Sequence, residues 1–130
     1  MKRFITVLLA ILLLFAVAGC NTAYRTLVLE MESSNESGSV KITQTIKWES
    51  EKKISSVAVE EVYSNADNAK KTYDFYTAYF GEHEDYELSD FNLKLNGNKV
   101  TYIQPLIPRE AERTYVEVRD EHESNGWTVK

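Results

Sequence analysis

VKITQTIKW, Val40 to Trp48, alternates without a break. Val40, Ile42, Ile46 and Trp48 fall on one side with Gln44 among them, and Lys41, Thr43, Thr45 and Lys47 fall on the other. Successive side chains of an extended chain point to opposite faces, so this spacing predicts a strand with one apolar and one wet face. Upstream, Tyr24 to Met31 repeats the pattern, setting Leu27, Leu29 and Met31 against Thr26, Val28 and Glu30. The polar run ESSNESGS, Glu32 to Ser39, then reads as a turn around Gly38, and the two segments as a hairpin. A third, less regular strand is expected over Ile54 to Tyr63.

Past Tyr63 the period changes. Ser64-Asn65-Ala66-Asp67 offers side chains that start helices, and Ala69, Tyr73, Tyr76 and Phe80 recur at steps of four, three and four. Gly81 is the expected cap. The aromatic face of this helix should pack on the sheet, with Phe75 or Tyr79 at its margin. Ile42, Ile46, Trp48, Tyr73, Tyr76 and Phe80 are therefore expected to form one core shared by sheet and helix. Tyr86 to Leu95 and Lys99 to Ile103 read as strands around Asn96-Gly97-Asn98, with Phe91, Leu93 and Leu95 inward against Val100 and Tyr102. Pro105 and Pro108 interrupt the sheet. Arg109 to Ser124 then carries Ala111, Tyr115, Val118 and His122 at helical spacing, Asn125-Gly126 ends that helix, and Trp127 to Lys130 is a short tail. The order βββ-α-ββ-α defines an α+β fold, an antiparallel sheet packed by two helices in a single domain over residues 24–130.

The N-terminus has another chemistry. Lys2 and Arg3 precede an apolar run from Phe4 to Val17, broken only by Thr6, which ends in Ala18-Gly19. This is the pattern of a secretory signal. As a helix, residues 4–19 cover roughly 24 Å, short of the ~30 Å hydrocarbon core. Val17-Ala18-Gly19-Cys20 resembles the lipobox of bacterial lipoproteins. The resemblance implies cleavage of residues 1–19 and a diacylglyceryl thioether on Cys20, with residues 20–23 as a short tether. Two acyl chains hold a protein durably where one holds it marginally. The expected location is the extracytoplasmic face of a membrane in the cell envelope.

Removing 19 residues from 130 leaves 111, enough for one core. Lys2 and Arg3 leave with the signal, so the 15 Lys and Arg fall to 13 against 20 Asp and Glu, a side-chain balance of −7. That balance argues against nucleic acid as a partner. Cys20 is the only cysteine, which excludes an internal disulfide or a cysteine metal cluster.

The order of elements and its ends resemble the YehR-like family of small bacterial lipoproteins. The resemblance rests on the lipobox, a hairpin such as SGSVKITQTIKW, a helix such as DNAKKTYDFYTAYF, and two strands. A last helix then closes on Asn125-Gly126-Trp127 before a terminal lysine. The chain departs from the pattern in its short segment after Cys20 and in the two prolines before the last helix. The resemblance implies fold and location; the family supplies no activity, so no functional residue transfers.

No nucleophile elbow or phosphate loop occurs, and neither an enzyme nor a cofactor is expected. Glu82-His83-Glu84-Asp85 and Asp120-Glu121-His122-Glu123 contain the imidazoles and carboxylates that bind zinc. If both helix ends met, His83, Glu84, His122 and Glu123 would be its ligands; otherwise they are solvated ends, with each histidine near a helix C-terminus. The expected function is a membrane-anchored, non-enzymatic domain binding a partner protein or envelope component. The alternatives are a metal- or small-ligand-binding lipoprotein using those clusters, or a peptide-pheromone precursor releasing LLLFAVAG, residues 12–19.

Overall fold

The computed structural model describes residues 24–130. The expectations for the signal, Cys20, the tether and LLLFAVAG lie outside the described residues. β1 (Arg25–Asn35), β2 (Gly38–Ser50) and β3 (Lys53–Tyr63) form an antiparallel meander. Ile46 and Trp48 are buried and Lys47 is exposed, as the alternation predicts. The hairpin is longer than expected, because Glu32 to Asn35 continue β1 and only Glu36-Ser37 turn the chain. Ser37 N–H donates to Asn35 Oδ1 at 2.8 Å, so the asparagine shapes the turn itself. Gly38 follows at φ +138°, where a Cβ would lie 2.5 Å from Ser64 Oγ, so both conformation and space require glycine.

β3 looked irregular for a reason. Lys47 pairs with Ser56 and Trp48 with Ile54, leaving Ser55 as an extra residue whose hydroxyl donates to Lys47 O at 3.1 Å. This bulge changes the parity of the strand, so Ile54 and Val57 are both buried although three positions apart.

Helix α1 (Ala66–Gly81) is capped by the Asn65 side chain, which accepts from Asn68 N–H at 2.9 Å, and it ends on Glu82. β4 (Lys94–Asn96) and β5 (Lys99–Ile103) follow, with Gly97 at φ +62° in the first position of a two-residue turn. β4 is far shorter than the strand expected from Tyr86 to Leu95. Leu88–Phe91 is instead a 3-10 turn, closed because Asp90 accepts from Glu87 N–H at 2.9 Å, and Asn92 then sits at φ +46°. Local side-chain acceptors outcompete the ladder there.

The single helix expected over Arg109 to Ser124 is two helices, α2 (Pro108–Ala111) and α3 (Tyr115–Ser124). Thr114 and Glu117 form a reciprocal capping box that restarts the helix. Trp48 Nε1–H donates to Arg113 O at 2.7 Å, taking the carbonyl that a continuous helix would bond internally. The tail is also a strand: β6 (Thr128–Val129) pairs with β1 through Leu29 and Glu30. The α+β class stands, but the described residues form six strands in the order β4-β5-β3-β2-β1-β6 and three helices.

Both long helices lie on one sheet face, α1 toward β3, β5 and β4 and α3 toward β1 and β6. This divides the expected core. Ile46 and Trp48 belong to a cluster with Leu27, Leu29, Ile54, Val57, Val59 and Val118, against which Tyr115 packs from α3. Tyr76 and Phe80 pack elsewhere, on Tyr102 and Phe91. Trp48 is therefore roofed by the last helix and not by the first. The other sheet face carries Lys41, paired with Glu30 at 3.0 Å, and Lys99, which lies 3.7 Å from Glu60.

Candidate functional site

The helical spacing of α1 sends Tyr76 and Phe80 down to the sheet and leaves Phe75 and Tyr79 outward. Phe80 stacks on Phe91 with centroids 4.0 Å apart and contacts Tyr102 at 5.2 Å, and Tyr76 meets Tyr102 edge-on at 5.3 Å. Phe75 and Tyr79 stack on each other at 5.8 Å, and Tyr79 is 60% exposed. Beyond the helix, His83 lies against Tyr86 at 5.1 Å, and Tyr86 meets Phe91 edge-on at 6.2 Å. Opposite them runs the extended Gln104–Ile107 segment, which the two prolines keep out of both sheet and helix. Between the two sides is an open cleft of about 430 Å³, floored by Phe80, Phe91 and Tyr102 and rimmed by Tyr79, His83, Asp85, Tyr86 and Glu110.

Beside its floor sits Glu61, a carboxylate with only 5% exposure on the helix-covered face of β3. Its Oε1 accepts from Tyr76 Oη–H at 3.2 Å and Tyr63 Oη–H at 3.4 Å, both longer than an ordinary O–H···O bond. Its Oε2 is buried without a partner. Burial pushes the Glu61 carboxyl above the ordinary carboxylate range, and the two tyrosine hydroxyls only partly oppose that. Tyr102 is pushed up to about 12, by burial first and by the nearby Glu61 charge second. Glu61 was not among the residues expected at a site. Its signal was parity: it follows Val57 and Val59 at steps of two and precedes Tyr63 by two.

Glu61 has a pH signature. A carboxyl whose pKa is higher folded than unfolded stabilises the fold fully below the unfolded value of ~4.3. That contribution is lost as pH rises through the folded value. Glu61→Gln keeps the shape and removes the charge, so it should stabilise the protein at pH 7.5 by roughly 1–3 kcal/mol and change little at pH 4. Melting curves of both proteins between those pH values check it, and parallel curves would refute it.

The two histidine clusters do not meet. His83 and Glu84 follow α1 at the β4–β5 side of the sheet, where Asp85 N–H donates to His83 Nδ1 at 3.2 Å. His122 and Glu123 end α3 at the β1–β6 side. His122 Nδ1 lies 2.8 Å from Val118 O and its ring stands against Trp127, while Glu123 lies 3.5 Å from Arg119. Among the described residues no group of three His, Cys, Asp or Glu is placed to hold a metal ion. Cys20 is outside the described residues.

No family model matches the chain, and comparison with curated proteins and with solved structures returns no match.

Proposed function

We propose that this chain is a lipid-anchored extracytoplasmic domain, non-enzymatic, that binds a partner protein or envelope component in the aromatic cleft. The observation that carries the reading is the set of rings at solvent around a concavity, Tyr79 above all, on a wall whose other face is well packed. Binding pockets join apolar and aromatic walls to a few polar groups, and their volumes begin near ~300 Å³. The lipobox and the likeness to small bacterial lipoproteins support the anchor. β1 begins at Arg25, five residues after Cys20, a span of at most about 18 Å when extended.

The strand register also bears on placement. Arg25 pairs with Trp48, Lys47 with Ser56, and Gln104 N–H donates to Val57 O. The cleft and the start of β1 thus share one end of the sheet. A partner seated in the cleft would lie near the membrane that holds Cys20.

The test is a pull-down from detergent-solubilised cells using the full chain and its Tyr79→Ala/Tyr86→Ala double variant. A partner captured by the first and lost by the second, with melting temperatures alike, is the expected result. Equal capture by both proteins removes the cleft from the function.

A further inference from the structure

The aromatic cleft has one sign of charge. Asp85 and Glu110 line it, no lysine or arginine does, and the turn beside it, Glu82 to Asp90, holds five carboxylates and no Lys or Arg. Among the described residues the ion pairs lie elsewhere, at Glu30, Glu49, Glu60, Asp74, Asp120, Glu121 and Glu123. Among the described residues no Lys or Arg forms an ion pair with the carboxylates at the cleft.

Resting on the proposed binding role, the geometry points to an arginine-bearing basic peptide segment of the partner as the occupant of the cleft. A guanidinium fits both kinds of wall at once. It lies flat on an aromatic face and presents a planar fork to a carboxylate. Tyr79 and Tyr86 supply faces at the mouth, and Asp85 and Glu110 supply the acceptors. The other carboxylates of the turn, Glu82, Glu84, Glu87 and Asp90, are exposed outside the cleft lining, where a longer ligand would meet them. Several carboxylates spread over such a length match several positive charges on one chain. A single cationic head group would leave most of them unmatched.

The same fields set the expected salt dependence. Charge attraction across an exposed rim is screened within about 8 Å at physiological ionic strength, so binding should weaken as salt rises. Stacking on the rings is insensitive to salt and should persist in part. An acidic or neutral peptide of the same length should gain neither contribution.

Fluorescence anisotropy of the full chain in a non-ionic maltoside detergent tests this. The probe is a labelled ten-residue peptide of alternating arginine and leucine, compared with its glutamate–leucine counterpart. Expected is binding of the arginine peptide at least tenfold tighter than the glutamate peptide. That binding should fall at least fivefold from 50 to 500 mM salt, at least tenfold in Asp85→Asn/Glu110→Gln and at least tenfold in Tyr79→Ala. Glu36→Gln, at the far end of the sheet, should bind as wild type does and so exclude a general charge effect. Equal affinity for both peptides, or no loss in the Asp85→Asn/Glu110→Gln protein, overturns the inference. So does displacement by phosphoethanolamine as effective as by free arginine, which would assign the cleft to a lipid head group. If the peptide fails while the pull-down partner still depends on Tyr79 and Tyr86, the binding role stands and its basic ligand does not.

Discussion

Trp48→Ala is expected to destabilise the protein by roughly 3–5 kcal/mol. Trp48 is fully buried, its ring lies 5.5 Å from that of Tyr115, and its indole N–H holds Arg113 O at 2.7 Å. The substitution therefore removes apolar contact from the main core, opens a cavity between β2 and α3, and leaves a carbonyl unpaired at the break between α2 and α3. Against a typical domain stability of about 5–15 kcal/mol, that is from about a fifth to the whole of the total. Trp48→Phe separates the contributions: it keeps a ring under Tyr115 and loses the hydrogen bond, so its cost should be nearer ~1–2 kcal/mol. Urea unfolding of the three proteins measures both. An alanine variant as stable as wild type would contradict the placement of Trp48 beneath the last helix.

Phe80→Ala should cost a similar ~3–5 kcal/mol, through a different part of the molecule. Phe80 is 7% exposed and is the hub of the second cluster, touching Phe91, Tyr76 and Tyr102. Its loss unseats the 3-10 turn that carries Phe91 as well as the floor of the cleft. The adjacent residue is the control. Tyr79 is exposed, so Tyr79→Ala should stay within about 0.5 kcal/mol of wild type in stability. A large cost at position 80 beside almost none at 79 is what a helix with one packed and one exposed aromatic face requires. Equal costs at the two positions would mean that α1 is rotated from the orientation described.

Much of this architecture can be read from periodicity. Val40–Trp48 fixes which side of the sheet is packed, and the steps from Ala69 to Phe80 fix the face of α1, because both patterns follow from backbone geometry alone. The departures occur where a side chain satisfies the backbone locally. Thr114-Tyr115-Val116-Glu117 is a legible capping box, and reading it would have split the last helix at Thr114. Glu87 and Asp90 convert an apparent strand into a 3-10 turn, although Phe91 still points inward as its spacing suggests. The bulge at Ser55 and the pairing of Thr128-Val129 with β1 depend on partners distant in sequence, and no local pattern specifies them. The cleft was half legible. The aromatic wealth of α1 was plain, but its junction with Tyr102 and the Gln104–Glu110 side needs the strand order. Glu61 was legible by parity, and charged residues at such positions are worth flagging because burial of a carboxylate is costly.

The proposed anchoring at Cys20, which would place the cleft at a membrane surface, has a direct test. Cells expressing the full chain or its Cys20→Ser variant are fed a clickable fatty-acid analogue, and the protein is recovered and imaged for label. A diacylglyceryl thioether needs the sulfur, and a serine hydroxyl is no substitute for a thiolate. Label on the wild-type protein, with none on an uncleaved, heavier Cys20→Ser precursor, is the expected result. Undiminished label on the variant would contradict anchoring at Cys20 and, with it, the proposal that the cleft meets its partner at a membrane.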